Sequence, residues 1–331
     1  MLRTEFISTG MYVPERVVTN DEFTQWMDTS DEWIRTRTGI VERRWVADGE
    51  TGADMAYQAA QHALARAGLK PSDIDCIVYC TLSPDHFFPG TGVFLQRKLG
   101  VPGIPCLDVR NQCTGFLYGL SIADAWIRTG QYKRILLVGS EVHSTGMDLT
   151  TRGRDLAVLF GDGAGVAILG PTEDDGRGVL STHIFADGTY AELLFCDAPA
   201  SARRPRLSHE DLDTARIYPV MNGKEVFKHA STRMPESVRL ALETNGLTTA
   251  DVKVVIPHQA NLRISEMVRR QLDLREDQMY NNIQRFGNTT AGSIPIALDE
   301  VVQAGMLARG EVLVLAAFGS GFTWGSAAIR W

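Results

Sequence analysis

The stretch DVRNQCTGFLYGLSIADAWIRTG, residues 108–130, decides the fold because it places a cysteine where a strand ends and an apolar helix begins. The β-type residues 104–109 lead in, and Thr114 and Gly115 allow the tight turn that starts the helix. Every face of this helix is apolar or small. The helix is therefore expected to lie buried inside the molecule.

Cys113 is a candidate nucleophile. A thiol in the first turn of a helix faces unpaired backbone N–H groups and the positive end of the helix dipole, which stabilise the thiolate and are expected to lower the pKa. The same N–H groups are placed to hold an oxyanion. A second interpretation stays open at this point, because cysteine is a small apolar side chain that is often buried for packing alone.

The composition is that of a globular protein of 331 residues, long enough for two domains or one duplicated domain. The formal net charge of −7 argues against a general nucleic-acid binder. Neither a signal peptide nor an apolar membrane span is recognisable. The five cysteines show no disulfide framework and predict free thiols. Together these features predict a cytoplasmic protein that partners neither membranes nor nucleic acids.

Strand and helix patterns alternate along the chain. Residues 4–9 predict a first strand, and the cap-type residues at 28–30 predict a helix start. Residues 53–69 have helical periodicity, with Gly68 as the predicted C-cap. Residues 156–170 predict two strands joined by a glycine turn. Such alternation predicts an α/β fold with parallel sheets.

The second half of the chain repeats the first. An offset of 178 residues aligns the strand that ends at Cys80 with the strand that ends at His258, and an offset of 175 aligns Cys113 with Asn288. These matches predict a duplication with halves at residues 1–175 and 176–331.

Duplication brings three candidate site residues together. Sites in α/β sheets form at the carboxyl ends of strands, so Cys113, His258 and Asn288 are expected to converge where the two halves meet. Each also has an ordinary structural interpretation, since a histidine after a strand is often only a polar residue and Asn288 is a suitable helix cap. The conjunction of all three favours a catalytic site.

Cys113, PHQAN at 257–261 and GNT at 287–289 resemble the thiolase superfamily, and the match is closest to the β-ketoacyl-acyl carrier protein synthase III family. Six motifs in one order carry the resemblance: DTSDEWIRTRTGI at 28–40, FGDGAGVAIL at 160–169, NGKEVFKHA at 222–230, HQANLRI at 258–264, RFGNTTAGSIPIALDE at 285–300 and FGSGFTWGSA at 318–327. The resemblance implies a thiolase-like, duplicated, five-layered α/β/α/β/α fold, usually a homodimer, that initiates fatty acid biosynthesis.

The resemblance also implies a two-stage acyltransferase reaction. Cys113 would take the acyl group from acyl-CoA, and malonyl-acyl carrier protein would then lose carbon dioxide to give an enolate held by His258 and Asn288. The backbone N–H of Ser320 would help to bind the oxyanion, and Phe318 would pack near the donors. Acyl-CoA and malonyl-acyl carrier protein enter as substrates, and neither a cofactor nor a metal is implied.

Several residues match the family's substrate-binding motifs. Trp33 and Arg37 resemble the pair that sandwiches adenine, with Thr29 nearby, and stacking suits these residue types. The remaining matches are Arg152 for the nucleotide, Gly223, Phe227, Ala260 and Asn261 for the pantetheine channel, and Phe88 for closing the acyl pocket across the dimer. As structural alternatives, Trp33 is a possible surface anchor and Phe227 a possible core residue.

A basic helix face is the predicted docking site for the acidic carrier protein. Arg263 and Arg270 lie two turns apart on one face, Arg269 lies beside them, and Lys228 extends the patch. A solvated helix face is the alternative interpretation of the spacing alone, and the resemblance favours docking.

The chain departs from the common family pattern near the nucleophile, at Asn111, Gln112, Thr114 and Ser320. The Arg-rich loop at 196–218 is long and is either a lid or plain surface. The starter acyl group, whether acetyl, branched or longer, stays open. Two rival functions also stay open: an acyltransferase or ketide synthase of secondary metabolism with another acceptor, and a non-catalytic acyl-binding subunit.

Overall fold

The computed structural model describes residues 2–174 and 176–331. Residue 175, the predicted end of the first half, lies outside the described residues. The strands in these ranges are β1 Arg3–Tyr12, β2 Arg16–Thr19, β3 Glu42–Trp45, β4 Cys76–Cys80, β5 Cys106–Val109, β6 Ile135–Glu141, β7 Gly163–Thr172, β8 Gly178–Ala186, β9 Leu194–Phe195, β10 Val220–Met221, β11 Val252–Pro257, β12 Val312–Gly319 and β13 Thr323–Arg330. The α-helices are α1 Asp31–Thr38, α2 Gly52–Ala67, α3 Thr91–Leu99, α4 Gly115–Arg128, α5 Arg154–Ala157, α6 His209–Asp213, α7 Gly223–Thr244, α8 Leu262–Gln271, α9 Ile283–Phe286 and α10 Ser293–Gln303.

The elements are arranged around two main sheets that share one arrangement of four strands. The first has the strand order β1–β7–β6–β4–β5 and the second the order β8–β13–β12–β11. A parallel bridge from Val255 to Met279 extends the second sheet where β5 extends the first. The limits of the two halves themselves stay predictions.

The sheets are mixed, so the prediction of parallel sheets is wrong in part. β4 pairs parallel with β5 and β6, and β11 pairs parallel with β12, whereas β7 and β13 run antiparallel to both their neighbours. Only three residues join β12 to β13. So short a connection permits a hairpin but no crossover to a parallel strand.

The molecule has five layers because both faces of each sheet carry apolar side chains that helices cover. In β4, Val78 and Cys80 face the centre of the molecule, and Ile77 and Tyr79 face outward. Helices α4 and α10 fill the space between the sheets, α2 and α3 cover the first sheet, and α7 and α8 cover the second. The α/β/α/β/α arrangement that the resemblance implies is confirmed.

The helix that follows Cys113 is buried as predicted. Phe116, Leu117 and Leu120 of α4 have at most 1% of their surface exposed. The helix lies so close to the first sheet that a Cβ at Gly119 would come within 2.5 Å of the Cys80 sulfur. This central helix fixes the position of the turn that carries Cys113.

Local sequence patterns predict two helix ends correctly and assign the wrong secondary structure to part of one apolar run. Ser30 caps α1 by accepting the Trp33 N–H, and Gly68 ends α2 with a φ of 64°, as predicted. The prediction of two strands in residues 156–170 is wrong, because α5 ends there and only β7 forms. The apolar run is buried beside α1. No helix in the described ranges has the length and apolarity to cross a membrane.

Candidate active site

Cys113 lies in a single 3-10 turn, Gln112–Thr114, between β5 and α4. Gln112 has a φ of 47°, a left-handed conformation that is uncommon outside glycine. At the related position before Asn288, Gly287 has a φ of 64°. Both site residues therefore follow a left-handed residue that turns the chain sharply.

The Cys113 sulfur is a protonated thiol at neutral pH. Burial raises the pKa of Cys113 to about 12, and the carboxylate of Glu141 adds to the rise. The backbone N–H groups of Cys113 and Ser320 hydrogen bond to the sulfur and act in the opposite direction. The expected lowering of the pKa is therefore wrong, because loss of hydration outweighs the helix start. The two N–H groups nevertheless surround the sulfur as an oxyanion site requires.

His258 directly follows β11 and is 3% exposed. Its Nδ1 lies 2.7 Å from the Ser293 hydroxyl, which also accepts the Gln259 N–H at 3.4 Å. When the Ser293 hydroxyl donates its proton to Nδ1, the ring proton is on Nε2. Nε2 has no hydrogen-bond partner among the described residues. Burial lowers the pKa of His258 to about 3, so the ring is a neutral donor.

Asn288 is fixed through both backbone and side chain. Its N–H donates to Leu159 O at 2.8 Å, and its carbonyl accepts the Gly161 N–H at 3.1 Å. Its Oδ1 accepts the Thr290 N–H at 2.9 Å. Because the carboxamide oxygen is engaged, the Nδ2 amino group is the part of the side chain left to donate to a ligand.

Cys113, His258 and Asn288 line one cavity of about 520 Å³. Phe318 lies in its wall, buried against Phe322 with ring centroids 4.8 Å apart. The other lining residues are mainly apolar: Trp33, Arg37, Thr38, Asp155, Val158, Leu159, Phe160, Leu194, Met221, Gly223, Lys224, Val226, Phe227, Ala230, Met234, Ala260, Asn261, Arg263, Ile264 and Gly319. Within the described ranges, no group of three His, Cys, Asp or Glu is placed to hold a metal ion.

Two guanidinium groups contact the Trp33 ring. The carbon of the Arg37 guanidinium lies 4.4 Å from the ring centroid and that of Arg154 lies 4.5 Å away. Arg152 lies on the same segment as Arg154, but its Nε donates to Asp148 at 2.7 Å. In this conformation Arg154, rather than Arg152, joins Arg37 at the aromatic ring. Arg154 was not predicted.

The segment before α1 packs on the same loop. The Asp28 N–H donates to Thr151 Oγ1 at 3.0 Å, which places Thr29 beside the loop that carries Arg152. The Thr29 hydroxyl is buried without a hydrogen-bond partner among the described residues, and Thr29 does not line the cavity.

The predicted channel residues Gly223, Phe227, Ala260 and Asn261 all line the cavity. Asn261 also has a structural task. Its Nδ2 donates to Arg37 O at 2.9 Å, and its Oδ1 accepts the Arg263 N–H at 2.9 Å. This side chain therefore caps α8 and fastens it to the end of α1.

A second groove, of about 390 Å³, adjoins the cavity through Phe227 and Arg263. It is lined by Arg35, Thr36, Gly39, Phe227, Leu262, Arg263, Glu266, Met267 and Arg270. The predicted pair Arg263 and Arg270 thus shares one groove. Arg269 does not line this groove and donates to Glu266 and to Leu274 O. Arg270 also donates to Glu266, at 2.7 Å, and Lys228 lies 3.6 Å from Glu225.

Phe88 lies on the surface, 78% exposed, and does not line the cavity of its own chain. Its neighbour Phe87 contacts the loop at 196–218, since the Arg206 guanidinium carbon lies 5.1 Å from the Phe87 ring centroid. The loop contains α6 and an ion pair between Arg203 and Asp211. The loop therefore packs beside the segment that carries Phe87 and Phe88.

Two of the departures near Cys113, Asn111 and Thr114, are hydrogen bonded to each other. Asn111 Nδ2 donates to Thr114 Oγ1 at 2.9 Å, and Thr114 Oγ1 lies 2.8 Å from the Thr323 hydroxyl. The Ser320 hydroxyl donates to Leu194 O. Asn111 and Thr114 therefore join the turn of Cys113 to Thr323 of the second sheet, whereas the Ser320 hydroxyl bonds to β9.

Sequence reasoning missed four supporting residues: Glu141, His143, Ser293 and Gly319. Glu141 ends β6 and His143 lies two residues beyond it, and the others lie inside the motifs at 285–300 and 318–327. The motifs contained Ser293 and Gly319, but only the fold shows that they contact His258 and Cys113.

Comparisons with known proteins agree along nearly the whole chain. Residues 107–188 match the family described as 3-oxoacyl-[acyl-carrier-protein (ACP)] synthase III, and residues 242–331 match its C-terminal part. The β-ketoacyl-[acyl-carrier-protein] synthase III of Geobacillus kaustophilus is 46% identical over 98% of both chains, and that of Xanthomonas campestris is 45% identical over 98% of this chain and 97% of its own.

Solved structures give the same result. The crystal structure of 3-oxoacyl-[acyl-carrier-protein] synthase III from Aquifex aeolicus has a TM-score of 0.90 and 40% identity, covering 99% of this chain and all of its own. Likeness of this extent in both sequence and fold shows that the chain belongs to the β-ketoacyl-[acyl-carrier-protein] synthase III family of condensing acyltransferases.

Proposed function

We propose that this chain joins an acyl group from acyl-CoA to malonyl-acyl carrier protein and releases 3-oxoacyl-acyl carrier protein and carbon dioxide, the first condensation of fatty acid synthesis. The observation that carries the proposal is the convergence of a thiol, a neutral imidazole and a carboxamide on one cavity. The names of the relatives supply the carrier protein as the partner.

In the first stage, the Cys113 sulfur attacks the carbonyl carbon of the acyl-CoA thioester. The tetrahedral oxyanion is held by the N–H groups of Cys113 and Ser320, which already face the sulfur. The bond from the carbonyl carbon to the CoA sulfur breaks, and CoA leaves as its free thiol with the proton that Cys113 loses. The acyl group stays on Cys113.

In the second stage, the malonyl thioester loses its carboxylate as carbon dioxide. The electron pair of the broken bond forms an enolate, whose oxygen accepts hydrogen bonds from His258 Nε2–H and Asn288 Nδ2–H. The enolate carbon then attacks the acyl-Cys113 carbonyl, and the bond from that carbon to the Cys113 sulfur breaks. The expelled thiolate takes a proton from water and becomes the thiol again. A neutral His258 suits this role because the imidazole keeps its proton to donate. These steps call for no group beyond the two substrates.

Two surfaces are suited to bring the substrates in. Trp33, Arg37 and Arg154 present an aromatic ring and positive charge at the cavity, which suits the nucleotide of CoA. Arg263 and Arg270 line the adjoining groove, which suits an acidic carrier protein whose prosthetic arm enters the cavity.

The chain is proposed to act as a cytoplasmic homodimer. β5 lies at the edge of the first sheet, and the exposed rings of Phe87 and Phe88 lie on the loop between β4 and α3. An edge strand beside exposed aromatic rings is a surface that a second copy can cover. Phe88 would then reach the acyl pocket of the partner subunit.

Carbon dioxide release from malonyl-acyl carrier protein tests the function. A chain loaded by acyl-CoA is expected to release carbon dioxide and form the ketoacyl product in equal amounts. Loading without carbon dioxide release would instead identify an acyltransferase with another acceptor. Absence of any covalent adduct on Cys113 would identify an acyl-binding subunit. A panel of acetyl-, isobutyryl- and octanoyl-CoA in the same assay gives the starter preference.

A further inference from the structure

The end of β6, in the first half, lies against the turn that carries the catalytic asparagine in the second half. Gly139 and Glu141, on one face of β6, and His143, two residues beyond its end, make the contact. A Cβ at Gly139 would lie 2.2 Å from Ala291 O, and Glu141 Oε1 accepts the Ala291 N–H at 3.3 Å. His143 Nε2 lies 2.5 Å from Thr290 Oγ1.

His143 reaches Asn288 through one intermediate residue. Thr290 is hydrogen bonded to the imidazole through its hydroxyl, and its N–H donates to Asn288 Oδ1 at 2.9 Å. Thr290 has a φ of 46°, which a β-branched residue adopts only when its surroundings hold it there. The imidazole is one such support, so its removal is expected to loosen the carboxamide.

The imidazole also supports the segment that pairs with Asn288. The rings of His143 and Phe160 have centroids 4.7 Å apart, and Phe160 forms a β-bridge with Asn288. The backbone N–H of His143 donates to the buried Asp162 at 2.6 Å, which anchors the residue that bears the ring. His143 therefore contacts both supports of Asn288.

We propose that His143 is a positioning residue for the condensation stage: it holds Thr290 and, through it, the Asn288 carboxamide in the orientation that stabilises the enolate. His143 is absent from the lining of the cavity, so it acts without touching substrate. The inference rests on the proposed function. It concerns the condensation stage alone, because the loading stage uses the N–H groups of Cys113 and Ser320 instead.

The test measures both stages in the full-length chain. Loading is followed by intact mass with the acyl-CoA that the unmodified chain accepts fastest, and condensation by single-turnover carbon dioxide release after malonyl-acyl carrier protein is added. His143→Leu is expected to load at the unmodified rate and to condense roughly tenfold to a hundredfold more slowly. His143→Gln keeps a group that hydrogen bonds to Thr290 and is expected to recover most of the rate.

Thr290→Val removes the same hydrogen bond by changing its other partner, and its condensation rate is expected to equal that of His143→Leu. This second variant tests the proposal if His143→Leu does not fold. In an Asn288→Ala background, His143→Leu is expected to add no further loss, because both changes remove one interaction. His183→Leu is the matched control, since this half-buried imidazole bonds Ser181 on β8, and both stages should be unchanged.

Condensation by His143→Leu and Thr290→Val at the unmodified rate would overturn the proposal. Equal losses in loading and condensation would also overturn it, because they indicate a general structural role. A full additional loss in the Asn288→Ala background would do the same. Failure of the proposed function is distinct from these results, since the unmodified chain itself would then release no carbon dioxide.

Discussion

A Cβ at Gly319 would lie 2.8 Å from the Cβ of Cys113 and 3.3 Å from its sulfur. Side chains do not approach each other so closely, so the end of β12 leaves room for the Cys113 side chain only because it carries glycine there. Gly319 directly precedes Ser320, whose N–H faces the sulfur. The second half of the chain therefore sets both the space around Cys113 and one of the N–H groups that face its sulfur.

Gly319→Ala is expected to slow acyl loading by roughly a hundredfold, because the added methyl group displaces the sulfur from its donors. The rate is measured by intact mass after mixing with acyl-CoA. Gly188→Ala is the control, since a Cβ at Gly188 meets no atom within 4 Å. Loading by Gly319→Ala at the rate of the control would show that the contact does not constrain Cys113.

Alkylation of Cys113 should depend steeply on pH. With a pKa of about 12, the reactive thiolate fraction rises about tenfold for each pH unit between 7 and 10. The rate of iodoacetamide modification at Cys113, measured by peptide mass spectrometry, is expected to follow that slope without a plateau. A plateau below pH 9 would mean that the helix start and the two N–H groups overcome burial.

The Trp33 ring is expected to serve substrate binding more than the chemical step. Trp33→Ala should raise the KM for acyl-CoA about tenfold and leave kcat nearly unchanged, because the lost contact is made equally in the ground state and the transition state. Arg154→Ala should raise KM more than Arg152→Ala, since the Arg152 side chain is engaged by Asp148. Steady-state kinetics with varied acyl-CoA check this order, and the reverse order would restore Arg152 as the main contact.

Glu141 should make stability depend on pH. Burial raises the pKa of Glu141 from 4.5 to about 7, against donors in Thr81, Leu82, Ser83 and Ala291. Between these pH values the unfolded carboxyl has lost its proton and the folded one retains it, so the stability that Glu141 contributes is fully present below pH 4.5 and falls as pH rises to 7. The shift corresponds to about 3 kcal/mol.

Urea unfolding of the unmodified chain and of Glu141→Gln at pH 4.5 and 7.5 measures this effect. The stability advantage of the unmodified chain should shrink by up to about 3 kcal/mol at the higher pH, because glutamine does not titrate. An advantage that is constant or larger at pH 7.5 would show that the hydrogen bonds keep the carboxylate ionised in the folded state.

The sequence predicted those features that depend on local pattern or on complete motifs. The apolar helix after Cys113, the cap at Ser30 and the convergence of Cys113 with His258 and Asn288 on one cavity all followed from residues close in the chain or from the repeat. The pKa of Cys113 was predicted in the wrong direction, because its burial depends on how the second sheet covers the turn.

Patterns in the sequence do not predict side-chain contacts between the two halves of the chain. His143 and Thr290 are 147 residues apart, and neither residue type marks a site on its own. Arg154 lies in a short helix that precedes an apolar run typical of a strand. Its contact with the Trp33 ring therefore could not be predicted from the sequence. Such residues become visible only when the fold brings two distant segments into contact.

A single-turnover chase on the acyl-enzyme tests the central claim most directly. The unmodified chain and Asn288→Ala are first loaded from acyl-CoA, with Cys113→Ser as the unloaded control, and malonyl-acyl carrier protein is then added while intact mass and carbon dioxide are followed. The unmodified chain is expected to lose its adduct as carbon dioxide and ketoacyl product appear, Asn288→Ala to lose its adduct far more slowly but at a measurable rate, and Cys113→Ser never to gain one. Loss of the adduct from Asn288→Ala at the unmodified rate, or an adduct on Cys113→Ser, would contradict the account.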